Sequence, residues 1–359
     1  MSMLTYLRKW LNRLFAEEEA VLLLLLIFAV LSLVVWFGNV LAPVIASLIL
    51  AYLVQGVSAQ LTARGLPQWL GISVAFLLFI GTVLAVLLVL LPLVWQQLTK
   101  FIVDLPRMMT TIQHALLLLP EQTSQLITEQ QIKEWVSQAG VELGRFGQAV
   151  VSVSLASVPM VVGAMIYLVL VPILVFFFLK DRQQILDWMA TFLPRQRPLM
   201  TRIWHEMNQQ IANYVRGKAI EIVIVGAVSY ICFAWMSLDF AALLALLVGL
   251  SVVIPYIGAT AVTIPVAMVG YFQWGWSADF MYLMVVYLII QALDGNVLVP
   301  LLFSEAVNLH PVAIIMAVLL FGGLWGFWGV FFAIPLATLI KAVLNAWPSG
   351  DEMQVEVAK

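Results

Sequence analysis

The sequence predicts an all-α polytopic membrane protein. About six full spans, plus two broken or re-entrant helical hairpins (equivalently counted as eight spans), run between cytoplasmic N- and C-termini. Three observations predict it. Of 359 residues, 64% are hydrophobic and 10% charged, and mean hydropathy is +1.05, more apolar surface than a soluble domain can hide. Several charge-free runs are long enough to cross a bilayer. Two apolar blocks in the last third, too long for one upright helix, are each interrupted by a Gly/Pro cluster in the middle.

The elements follow in order. The first apolar run, Ala20 to Phe37, has no small-x-small cleavage site and is followed by more spans, so it reads as a retained helix rather than a signal peptide. Gly38, Asn39 and Pro43 then break the run, and a shorter apolar segment reaches Val54, giving a tight helical pair. Gln55–Gln68 is polar, and span three runs from about Leu70 to Val94, closing an N-terminal part at residues 1–95. Residues 96–150 mix charges (Lys100, Asp104, Arg107, Glu121, Lys133, Arg145) with apolar positions at helical spacing, which predicts a periplasmic pair of amphipathic helices broken near Pro120. Span four occupies 151–180, with Pro159 and Pro172 bending it.

Residues 181–218 are the most basic stretch. Apolar positions 203, 207, 211, 214 and 215 form one face, predicting an amphipathic helix on the cytoplasmic interface. Span five lies within 219–240. With the N-terminus inside, the cytoplasmic pieces hold every one of the 17 basic residues except Lys100, Arg107, Lys133 and Arg145, as the positive-inside rule requires. A tail at 348–359 ends the chain.

The remaining part, 241–347, is different. Its apolar blocks 241–273 and 311–345 would each be about 50 Å long as a helix, against a hydrocarbon core of about 30 Å. One breaks at Pro255-Tyr256-Ile257-Gly258-Ala259-Thr260 and the other at Gly322-Gly323-Leu324-Trp325-Gly326-Phe327-Trp328-Gly329; each break is followed by Ile-Pro. Broken long spans and hairpins both fit, and the hairpin reading is favoured. Corresponding Gly/Pro-interrupted segments mark transporter binding sites, and unpaired backbone at membrane depth must be buried or line a cavity.

Between the blocks lies the sharpest chemical signal, Asp294 in the middle of an apolar run, with Gln291 and Asn296 nearby and Gly295 and Pro300 loosening the helix. The bland alternative is a structural acid bonded to Asn296, Gln291 or a neighbouring helix. Acids within spans are seldom idle, which favours a functional one. No basic residue is expected in the apolar core beside it, Lys341 and Glu221 being read as near span ends, so Asp294 suits proton or cation coupling. The candidate substrate or coupling-ion site is therefore Asp294, Gln291, Asn296 and Gly295 with the broken tips Pro255, Tyr256, Gly258, Thr260, Gly322, Gly323, Gly326 and Gly329. Glu305 reads as a solvated interfacial acid, and His310-Pro311 as a helix start.

Other chemistry is not supported. Three dispersed histidines give no metal signature, no GxxxxGK[ST] loop occurs, and no Ser/His/Asp or Cys/His set stands in a plausible context. No cofactor, enzyme activity or nucleic-acid partner is expected; lipid and a small-molecule or cation substrate are. The lone Cys232 excludes an intrachain disulfide and reads as a small buried hydrophobe.

Pro255-Tyr256-Ile257-Gly258, the run Gln291-Ala292-Leu293-Asp294-Gly295-Asn296 through Pro300, Leu309-His310-Pro311, Gly322-Gly323 with Gly326 and Gly329, and Ile334-Pro335-Leu336-Ala337 together resemble the AI-2E (autoinducer-2 exporter) family. The resemblance spans nearly the whole chain. It implies a bacterial inner-membrane secondary transporter, a homo-oligomer (pentameric), moving its solute by an elevator-like shift. Members are linked to export of autoinducer-2, and some to sodium/proton antiport. Many relatives carry Glu where Asp294 stands, and the shorter acid changes cavity size and coordination. Export of a small polar solute with proton coupling through Asp294, cation/proton antiport, and a non-transporting membrane scaffold are the functions to weigh.

Overall fold

The computed structural model describes residues 18–117, 158–303 and 309–346, with residues 134, 138, 140, 141 and 145 between them. The expectations for Pro120, Pro159's side chain, Glu305 and the 348–359 tail lie outside what is described. Among the described residues there are helices and no strands, and eight of the helical stretches are long and apolar enough to cross a membrane. This is a multi-pass membrane protein.

The chain divides into two compact units, one formed by residues 1–75, 171–217 and 303–359, the other by 76–170 and 218–302. In the first unit, α1 spans Glu18–Ala63 with Pro43 inside it. The break expected at Gly38–Pro43 is therefore a bend in a continuous helix rather than a loop between two. The Glu19 carboxylate accepts from Met200 N at 2.7 Å and Tyr52 donates to Asn208 Oδ1 at 2.9 Å. In a straight helix residues 19 and 52 would be about 50 Å apart, whereas Met200 and Asn208 are about 12 Å apart along theirs. Proline removes one backbone bond and crowds the preceding turn, which is how the helix turns without ending.

Three helices follow in the same unit or lead into it: α2 (Gln68–Ala85), α4 (Val158–Lys180) and the short α5 (Arg182–Ala190). Helix α6, Pro198–Trp235, runs from the basic segment through span five without interruption. Its apolar face, Met200, Ile203 and Met207, packs with Leu23, Ala342 and Val343. The face was expected on the membrane interface; it is instead covered by protein.

In the second unit, α2 continues through a widened turn at Val86–Leu90 into α3, Leu91–Leu117. Residues 96–117 thus continue span three as one helix, and most of the rest of the expected helical pair lies outside the described residues. Val94, Leu105 and Met108 of α3 join Val225 and Phe233 of α6, Leu244 and Val248 of α7 (Ala241–Ser251), Val266 and Val269 of α8 (Ile257–Trp274), and Leu283 and Tyr287 of α9 (Ala278–Leu293) in one core. Cys232 packs on its edge. Gln97 caps α7 by accepting from Leu243 N at 2.8 Å.

Both apolar blocks turn back on themselves. Seven or eight helical residues rise about 10–12 Å, yet Gly258 lies against the Ser251 carbonyl and Gly329 against the Phe321 carbonyl so closely that a Cβ on either would overlap it. At the open end of the first block, Asp239 N donates to Gln273 Oε1 and Gln273 Nε2 to Ser237 O, both at 2.8 Å. So α7 and α8 form a helical hairpin reversing at 252–256. In the second block the chain turns at Gly326 (φ 59°, ψ −137°), inside α11 (Pro311–Phe331), and α12 (Ala333–Ala346) packs back on α11. These reversals favour hairpins over long broken spans.

Candidate functional site

The first hairpin's tip is where buried charge gathers. Lys218 and Glu221, one turn apart on α6, are 4% and 1% exposed and pair at 2.7 Å. The Lys218 ammonium also donates to Val252 O at 2.8 Å. Val252 is the first residue beyond α7, where the helix leaves carbonyls without intrahelical partners, and a buried cation is a strong donor to such a group. At the tip Tyr256 is held at φ 64°, ψ −51°, outside the regions an L-residue favours, a strain found mostly at functional positions.

Asp294 is brought toward the same region by α9. Tyr287 donates to Ala259 O at 3.0 Å and receives Thr263 Oγ1 at 3.1 Å, fastening α9 to the first turn of α8. Gln291 and Asp294 follow at i+4 and i+7, on the same helix face. Here the helix widens into a π-turn over Asp294–Leu298, and Val299 N bonds back to Asp294 O. The cause is Pro300, which has no N–H to give Asn296, just as Pro92 follows the Val86–Leu90 turn. A five-residue segment, α10 (Val299–Phe303), completes the span.

Asp294 Oδ1 is buried without a hydrogen-bond partner among the described residues, and the Gln291 amide faces Tyr287 at a geometry that leaves Nε2 without one. Orphaned buried polar atoms are rare and point to a solute or ion that completes them. Asp294 also lies within electrostatic range of Lys218 and Glu221. The acid expected to be without a basic neighbour therefore has one, because Lys218 is buried in this unit rather than lying in a solvated basic loop.

Of the other expected site residues, Pro255, Tyr256, Gly258 and Thr260 belong to this tip, Thr260 donating to Tyr256 O at 2.9 Å. Asn296 turns its amide back to Ala292 O at 2.8 Å, on the exposed side of its helix, and Gly295 faces open space. Gly322, Gly323, Gly326 and Gly329 belong to the first-described unit. There the Trp325 indole stacks on Phe332 and lies over Gly38, and Tyr214 donates to Phe331 O at 2.9 Å. His310 caps α11 by accepting from Val312 N at 3.3 Å, as expected of a residue before Pro311. Lys218 and Glu221 were missed. Their signal was an i, i+3 Lys/Glu pair running into an apolar helix.

A family model described as AI-2E family transporter matches residues 3–349. The chain is 46% identical over 352 residues to the protein named permease PerM of Escherichia coli (strain K12), covering 98% of this chain and 100% of that one. It is 26% identical over 316 residues to transport protein YueF of Bacillus subtilis (strain 168), covering 86% and 84%. Transport protein YrrI of the same strain is 25% identical over 305 residues, covering 84% and 85%. These relatives are named as permeases and transport proteins, not as enzymes. By an end-to-end family match and by this degree of identity, the chain belongs to the AI-2E transporter family.

Proposed function

We propose that the protein is a secondary transporter of the bacterial inner membrane that exports a small polar solute such as autoinducer-2, driven by the proton gradient through Asp294. The observation that carries this is the pair of orphaned polar groups, Asp294 Oδ1 and Gln291 Nε2, presented beside a backbone reversal at 252–256. A polar solute needs such donors and acceptors at membrane depth, and a broken helix supplies them without further charge. A homo-oligomer with an elevator-like movement of the hairpin-bearing 241–347 region belongs to the same reading.

Sodium (cation)/proton antiport is the second reading, favoured by the charge count at the tip. Lys218 offsets only one of the two carboxylates, so the set holds one more monovalent positive charge when all three are ionised. A non-transporting scaffold has no use for these groups.

The test is flux in proteoliposomes under an imposed pH gradient, wild type beside Asp294→Asn, with autoinducer-2 and with sodium. Gradient-driven movement of the signal molecule by the wild type and not by the variant is the expected result. Sodium-linked proton movement alone would promote the antiporter. Equal flux from the correctly inserted variant would remove Asp294 from the mechanism.

A further inference from the structure

Lys218 bonds both to its own helix and to the hairpin tip. Its ammonium pairs with Glu221 at 2.7 Å and donates to the Val252 carbonyl at 2.8 Å. Glu221 is on Lys218's own helix, so that bond ties nothing together. Val252 is different: it belongs to the reversal of the hairpin, and the bond from α6 pins the reversal in place. Asp294 stands on a third element, with a buried oxygen that no described residue satisfies, near enough for its charge to act on the ammonium. One donor thus has an acceptor on the tip and a competing anion on the neighbouring helix.

We infer that Lys218 is a positioning residue, a latch that holds the first hairpin tip through Val252 O and is drawn off it when Asp294 is charged and unoccupied. The inference rests on the proposed role of Asp294 and adds how its state reaches the backbone. When a proton or a bound solute neutralises Asp294, the ammonium stays on Val252 and the tip is closed. When Asp294 is bare, its carboxylate competes for the ammonium and the tip is released. Among the described residues, the charged or titratable side chains around Asp294 and its neighbours are Lys218 and Glu221 on α6 and Tyr287 on α9. Of these only Lys218 is a cation, so the coupling has a single carrier. The exchange is of a hydrogen bond, with no covalent step.

The tip itself reports the latch. Val253, 5% exposed, sits beside the bond. A Val253→Cys reporter in a Cys232→Ala background is therefore labelled by N-ethylmaleimide only when the tip opens. The measurement uses the full chain in liposomes without any solute, so it succeeds or fails independently of flux. Lys218→Met alone strands two buried carboxylates and endangers folding, so the informative variant is the neutral pair Lys218→Met with Glu221→Gln. Coupling between sites is typically about 5–150-fold. The expectation is that the neutral pair raises the labelling rate at least about fivefold, and that Asp294→Asn lowers it in the wild-type background. Asp294→Asn added to the neutral pair should then change nothing. Labelling as slow in the neutral pair as in the wild type would overturn the latch. So would an Asp294→Asn effect that is absent, or that has the same size with and without Lys218, because the charge on Asp294 would then not act through the lysine.

Discussion

A single buried lysine decides how the polar centre of this protein is held together. Removing one member of a buried ion pair leaves its partner charged and unpaired, at a cost of about 3–5 kcal/mol, whereas replacing both members with neutral groups of similar volume is often tolerated. Lys218→Met should accordingly lower the thermal unfolding midpoint in detergent far more than Lys218→Met with Glu221→Gln. A smaller loss from the single variant than from the pair would mean that the 2.7 Å contact stabilises nothing. The sequence showed one half of this centre and hid the other. Asp294 is legible because it interrupts an apolar run on both sides. Lys218 ends a segment that already contains Arg195, Arg197, Arg202 and Arg216, so it reads as the last charge of a solvated stretch. Its burial comes from tertiary packing against the 252–256 reversal, which no local pattern announces.

At the scale of the element, both hairpins depend on a glycine where the two arms meet backbone to backbone. A methyl group at Gly258 would overlap the Ser251 carbonyl, and one at Gly329 the Phe321 carbonyl. Neither neighbour is a side chain that can rotate away. Overpacking of this kind typically costs about 1–3 kcal/mol, so Gly258→Ala and Gly329→Ala should each destabilise by roughly that much, read as a lower unfolding midpoint. Gly326 differs in kind. It has open space around it but φ of 59° with ψ of −137°, a region nearly reserved for glycine, where a side chain costs about 1–3 kcal/mol. Gly326→Ala should therefore cost a similar amount to Gly329→Ala for a different reason; a much larger loss at Gly326 would show that backbone conformation, rather than space, limits the turn. The positions of these breaks were legible, because glycine and proline interrupt apolar runs in which they have no other purpose. Continuity was not. Pro43 and Pro106 sit inside helices α1 and α3, where neighbouring turns absorb the lost bond, and local signals of a break overestimate what proline does in a long packed helix.

For the whole molecule, the hairpins determine which loops share a side of the membrane. The paired bonds of Gln273 with Asp239 N and Ser237 O put the start of α7 level with the end of α8. If the basic 181–218 segment is cytoplasmic, as its charge demands, α6 delivers the chain to the outside at Trp235 and the hairpin returns it there. The span 278–303 then crosses inward, and the second hairpin begins and ends inside. Eight upright crossings would instead separate 236–239 from 274–277 by the full bilayer. Cysteines at Asp239 and Trp276, both exposed, tell these apart in a Cys232→Ala background. A membrane-impermeant maleimide added to intact cells, with the outer membrane permeabilised, should label both. A cysteine at His310 should be labelled only after the inner membrane is opened. Labelling of Trp276→Cys and Asp239→Cys from opposite sides would mean that the Gln273 bonds to Asp239 N and Ser237 O do not hold in the membrane and that the first block crosses it. The polar centre around Asp294 would then have no path to the outside through the first hairpin. The accessibility pattern thus tests the geometry on which any transport cycle through Asp294 depends, before a solute is known.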